Sequence, residues 1–166
     1  VQNYRDRPGA AFYRQHGIRL LETIPDRSLK RRESLALAEL YFISDRWREC
    51  KSLMERLNVQ HPEDIDLLSR YCEMLFERGD KTQARTWLRR LNQVAPDSLP
   101  ALKLKALDAK LQGDFALSKF EKSILNNLTE GGRRPASWER VRIGKVLEAA
   151  ELYDAAEKQY RRAVAQ

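Results

Sequence analysis

Apolar residues recur along this chain at three- and four-residue intervals, with polar residues filling the positions between them. That spacing predicts helices from one end to the other, because residues three and four apart share one helix face. Nine segments are expected, the first over about residues 10–23 with Tyr13, Gly17, Leu20 and Ile24 on one face. Eight more fall into pairs at about 29–44 and 47–59, 64–77 and 81–94, 98–112 and 115–127, and 137–150 and 153–165. Pro25, Pro62 and Pro96 each end a helix, since proline lacks the N–H that would continue it. Asp26, Asp97 and Ser137 stand where N-caps are needed. Gly79 and Gly113 suit the tight turns inside two of the pairs.

The segments also repeat. Pro62 and Pro96 lie 34 residues apart, as do Gly79-Asp80 and Gly113-Asp114, and Phe42 and Phe76. Composition sharpens the class. Ala, Leu, Glu, Lys and Arg supply 85 of 166 residues, whereas Val, Ile and Thr supply 16, which disfavours a strand-built sandwich or barrel. No apolar run approaches the ~20 residues needed to cross a bilayer. The expected fold is all-α, with antiparallel helix pairs stacked in series.

A period of 34 with proline closing each second helix resembles the tetratricopeptide repeat. The unit from Ile65 carries its pattern in Leu68, Tyr71, Cys72, Leu75, Gly79, Ala84, Leu88, Leu91 and Pro96. The unit from Arg31 does so in Leu37, Ala38, Tyr41, Cys50, Met54, Leu57 and Pro62, and the unit from Ser137 in Ile143, Gly144, Leu147, Tyr153, Ala156, Tyr160 and Ala163. In the unit from Leu99, residues Leu102, Ala106, Ala109 and Gly113 fit. There Phe120 to Ser123 come two residues early, so its second helix is expected to be shortened or shifted. The resemblance covers residues 31–166 as units 31–64, 65–98, 99–136 and 137–166, with 1–30 a degenerate or capping helical segment. It implies a right-handed superhelix, an α-solenoid of about nine helices. The start at Val1 and the lack of a polar closing helix after Ala163 and Val164 suggest an excised piece of a longer protein, whose C-terminal end could self-associate.

In this family the first helix of each pair lines a concave groove through positions 2, 5, 9 and 12. Carried over, those positions are Arg32, Leu35, Glu39 and Phe42; Asp66, Ser69, Glu73 and Phe76; Pro100, Lys103, Leu107 and Lys110; and Trp138, Val141, Lys145 and Glu148. The implied groove is acidic with aromatics in its first half and basic in its second, with Phe42 and Phe76 as candidate anchors for an extended or helical partner peptide. Some members grip a C-terminal carboxylate with Lys and Asn. Glu39 and Glu73 at position 9 oppose that use by repulsion.

The chain carries 31 basic and 24 acidic residues, a net +7, densest at Lys30-Arg31-Arg32. A basic surface for RNA or another polyanion is therefore the competing expectation. Cys50 and Cys72 lack a CxxC pattern, occupy small-residue positions and read as packing. His16 and His61 have no partner at ligand spacing. The Gly131–Pro135 loop offers amides and two arginines to a phosphate but lacks the strand–loop–helix setting of a phosphate site. Neither a catalytic motif nor a cofactor fingerprint occurs. The expected function is a non-catalytic protein-interaction scaffold, with a regulatory or oligomerisation segment of a larger enzyme as a further alternative.

Overall fold

A computed structural model describes residues 9–25, 28–128, 136–149 and 151–165, with backbone alone at 125–128. Among them run α1 (Ala10–Glu22), α2 (Arg31–Ile43), α3 (Trp47–Gln60), α4 (Ile65–Glu77), α5 (Lys81–Val94), α6 (Leu99–Gln112), α7 (Asp114–Leu128), α8 (Ser137–Ala149) and α9 (Tyr153–Val164). α2 packs on α3, α4 on α5, α6 on α7 and α8 on α9. Contacts between successive pairs run α3 to α4, α5 to α6 and α7 to α8. Further contacts join α4 to α6 and α6 to α8, so the first helices of successive pairs lie side by side. The result is an all-α helical-repeat solenoid.

The turns inside the pairs share one device. The fifteenth residue of each unit is left-handed: Asp45 (φ 59°), Gly79 (φ 80°), Gly113 (φ 109°) and Glu151 (φ 59°). In three of them the next N–H closes the helix end onto a carbonyl five residues back. These are Arg46 onto Tyr41 at 2.9 Å, Asp80 onto Leu75 at 3.0 Å and Leu152 onto Leu147 at 2.9 Å. The glycines were legible from sequence; Asp45 and Glu151, which bear a Cβ, were not.

The starts of α2, α4, α5, α6 and α8 are closed by side chains. Asp64 Oδ1 accepts from the Leu67 N–H at 3.1 Å, and Asp80 does the same for Gln83. The cap of α6 is Ser98, whose Oγ accepts from Ala101, and not the expected Asp97. Ser137 lies inside α8. That helix is closed by Glu139, which accepts the Ala136 N–H at 2.6 Å, as Glu33 accepts that of Lys30 at 2.8 Å. Asp26 and the Gly131–Pro135 loop lie outside the described residues.

The expected face of α1 needs correction. Ile18 is buried and Leu21 packs on the core, whereas Tyr13 and Leu20 are exposed. One residue of helical rotation separates the two choices, and of the expected face Gly17 does lie against the Leu40 side chain. α7 is shifted rather than shortened: it spans 15 residues and starts one residue after Gly113, whereas α3, α5 and α9 start two after theirs. This early start turns its apolar positions out of register with the family pattern.

The buried side chains form two clusters. The larger runs from Ile18 through Tyr71, Met74 and Leu91 to Leu104, and the smaller comprises Ala106, Ile124, Ile143, Val146, Leu147, Leu152 and Ala156. Each large aliphatic side chain fully withdrawn from water contributes about 1.5–3 kcal/mol, so the larger cluster dominates the stability of the stack. The smaller one also contains buried polar groups. Gln159 accepts from Arg140 at 3.3 Å and donates to Glu121 at 3.4 Å.

Candidate functional site

The face formed by α2, α4, α6 and α8 holds the sequence-predicted site residues, and its two halves differ in chemistry. In the first half the charges are spent on one another. Arg31 ion-pairs with Asp64, with Nη2 2.6 Å from Oδ1, and reaches Asp66 at 3.4 Å. Glu39 accepts from Arg70 at 2.9 Å, Arg70 also bonds Glu73 at 3.2 Å, and Glu73 accepts from Lys103 at 3.1 Å. This ladder crosses from α2 to α4 to α6, one carboxylate per helix boundary. Partial burial disfavours the Arg70 charge, yet its two carboxylates prevail and hold the guanidinium proton more tightly than usual. The ladder clamps neighbouring pairs together and leaves little unsatisfied charge for a ligand.

Phe42 and Phe76, the expected anchors, are each only 8% exposed and belong to the larger core. Phe42 packs edge-on against Trp47, with centroids 6.0 Å apart. Both rings therefore support the first-helix face from beneath and do not offer a surface to a partner. The reason is positional: each lies one residue after a fully or largely buried residue, Tyr41 and Leu75, at the end of a first helix that is covered on two sides. Ser69 is also buried, with its hydroxyl turned back to the Asp66 carbonyl at 3.1 Å. Leu35 is half-buried and packs on the core, while Arg32 is exposed. Pro100, half-buried, sits in the first turn of α6.

The second half is open and unspent. Trp138 is 61% exposed and Val141 36%, while Leu111 on α6 is 40% exposed. Leu107 is half-buried at the edge of the larger core. Lys110 and Lys145 are exposed and make no ion pair among the described residues. Where the ladder would continue, position 9 of the third unit is Leu107 in place of a glutamate and position 5 of the fourth is Val141 in place of a lysine. Apolar residues flanked by free lysines thus replace ion pairs. Glu148 is occupied by the Tyr160 hydroxyl at 2.7 Å. Leu111 escaped the sequence reading because it stands one residue beyond the carried-over position 12.

The remaining candidates for chemistry are structural. Cys50 and Cys72 are wholly buried. Burial pushes the Cys50 thiol up to about 11 and that of Cys72 to about 12, where the thiolate needed for reactivity is scarce. The Cys72 thiol donates to the Ala84 carbonyl at 3.1 Å, tying α4 to α5. His16 stacks on Phe12 at the exposed side of α1, and His61 ends α3. Among the described residues no group of three or more His, Cys, Asp or Glu could hold a metal ion, and no helix is long and apolar enough to cross a membrane. The central arginine of the Lys30–Arg32 run is committed to Asp64.

Helix pairs of this length, joined by left-handed fifteenth residues and stacked first helix beside first helix, define a tetratricopeptide-like helical-repeat fold. No family model matches the chain, and no curated protein matches it. Among solved structures it is similar to one titled "MamA MSR-1 C2", with 13% identity, 95% of this chain and 97% of that chain covered, and a TM-score of 0.48.

Proposed function

We propose that the chain is a non-catalytic protein-interaction scaffold whose first-helix face takes a partner segment over α6 and α8. The observation that carries this reading is the exposed strip of Trp138, Val141 and Leu111 beside Lys110 and Lys145, on a face most of whose first-half charges pair with one another. An exposed tryptophan in such a strip supplies the kind of anchor that dominates interface energies. Free lysines beside it favour a segment that pairs apolar side chains with carboxylates, and they steer its approach. The ion-pair ladder then serves to hold the curvature of the face.

The test is selection of a random peptide library on the whole chain, followed by affinity measurement on a Trp138→Ala/Lys145→Glu variant of unchanged melting temperature. Enriched peptides should combine acidic and apolar residues and should lose tenfold or more in affinity for the variant. Enriched peptides that bind the variant as tightly as the parent would place the function elsewhere on the molecule.

A further inference from the structure

The four units fill their seventh position unequally. Leu37, Tyr71 and Ile143 are buried there, but the third unit has Lys105, 34 residues after Tyr71. In the second unit Tyr71 closes the seam between α3, α4 and α5. Its ring packs edge-on against Trp87 at 5.1 Å, and its hydroxyl donates to Glu55 at 3.1 Å. A lysine cannot take that place, because its ammonium must not be stripped of polar partners. The Lys105 ammonium instead donates to the Pro96 carbonyl at 2.9 Å, and partial burial makes its proton easier to lose. The early start of α7 adds to the gap, and a cleft of about 660 Å³ opens between α5, α6 and α7.

The walls of this cleft are of two kinds. Leu88, Ala109, Ala116 and Phe120 make an apolar floor. Arg85, Arg89, Lys105 and Lys119 bring four positive charges to it, and Asp108, its one acid, is already bonded to Arg85 at 2.8 Å and Gln112 at 2.7 Å. Asn92 also lines the cleft, with an amide oxygen position that is shielded from water and has no hydrogen-bond partner. The amide can present either its oxygen or its nitrogen there.

We propose that this cleft, lined by α5, α7 and the side of α6 that faces them, is a second docking site separate from the face over α6 and α8, for an acidic segment of a partner protein that inserts one aromatic or branched aliphatic side chain. The surplus positive charge selects the acidic flanks. The apolar floor selects the inserted side chain, which a nucleic acid backbone lacks. The volume lies within the ~300–1,000 Å³ typical of sites that bury a ligand.

The test is fluorescence anisotropy of a labelled Asp/Glu-rich peptide with one central Phe, titrated with the whole chain. The same peptide with Ser for Phe and a single-stranded RNA of equal charge are run beside it. Lys105→Leu restores the filling found in the other units, so it should weaken the Phe peptide tenfold or more without lowering the melting temperature. Arg89→Glu/Lys119→Glu provides a second variant that leaves the floor intact and should weaken it similarly, while Trp138→Ala should leave it unchanged. Equal binding of the Ser peptide or the RNA would overturn the proposal, as would indifference to both cleft variants or a loss with Trp138→Ala.

Discussion

Gly144 gives the most direct check on the packing of the last pair. A methyl group built there would lie 2.3 Å and 2.7 Å from atoms of the Tyr160 ring, far inside van der Waals contact. The ring would have to retreat by roughly 1 Å to reach an ordinary carbon–carbon distance. Its hydroxyl donates to Glu148 at 2.7 Å, so the retreat also strains that bond. Overpacking of this kind costs about 1–3 kcal/mol, and alanine returns about 1 kcal/mol of helix propensity over glycine. With the hydrogen bond worth a further ~1 kcal/mol, Gly144→Ala should destabilise the protein by about 1–3 kcal/mol. Urea unfolding followed by circular dichroism measures this directly, and the melting temperature should fall by about 2–4 °C per kcal/mol. In a Tyr160→Ala background the same substitution should instead stabilise, by ~0.5–1 kcal/mol, because only the propensity term is left. Stabilisation by Gly144→Ala alone, or a penalty that persists without the ring, would refute the reasoning.

The left-handed turn residues predict an ordering. Glu151→Gly should raise stability by about 0.5–1 kcal/mol in thermal denaturation, since a non-glycine residue in that region costs ~1–2 kcal/mol and glycine's greater unfolded freedom returns only part of it. Asp45→Gly should gain less, because aspartate tolerates the conformation better and its carboxylate also pairs with Arg78 at 2.5 Å. For Asp64, burial pushes the carboxyl up, but the bonds from Arg31 and the Leu67 N–H outweigh it and hold the group below its ordinary 3.8. A depressed carboxyl contributes stability that is full above its unfolded value and lost as pH falls through the folded one. Parent and Asp64→Asn should therefore differ most above about pH 5 and converge as pH drops below 4, read from urea midpoints across that range. Cys50 and Cys72 should react with a thiol reagent at pH 8 only as fast as the protein opens, and at once in denaturant; rapid labelling of the native chain would contradict their burial.

Most helix limits could be read from the sequence, because Pro62 and Pro96 stop helices by covalent necessity and Gly79 and Gly113 mark turns by lacking a Cβ. Asp45 and Glu151 do the same job under strain that the surrounding helix pair imposes, and no local signal announces that. Ser98 displaced Asp97 as a cap because either side chain can accept an N–H, and a one-residue choice between them is made by the packing of α6. At the candidate site, position numbers set the residues along the first helices but could not tell a ring beneath that face from a ring upon it. Phe42 and Phe76 went under, whereas Trp138 stayed out. The exchange of charged for apolar residues at Leu107 and Val141 was visible in the sequence, but its meaning depended on seeing which glutamate met which cation across helices.

Leu104 belongs to one buried cluster and Ala106 to the other, so α6 is the shared wall between two packed bodies. Stiffness along the solenoid is consequently uneven. In a linear array where each unit leans only on its neighbours, bending concentrates at the boundary that shares the least buried material. The strip over α6 and α8 lies along that shared wall. On the function proposed above, a segment bound there would touch the wall shared by both packed bodies, so its affinity would depend on how the two are set relative to one another.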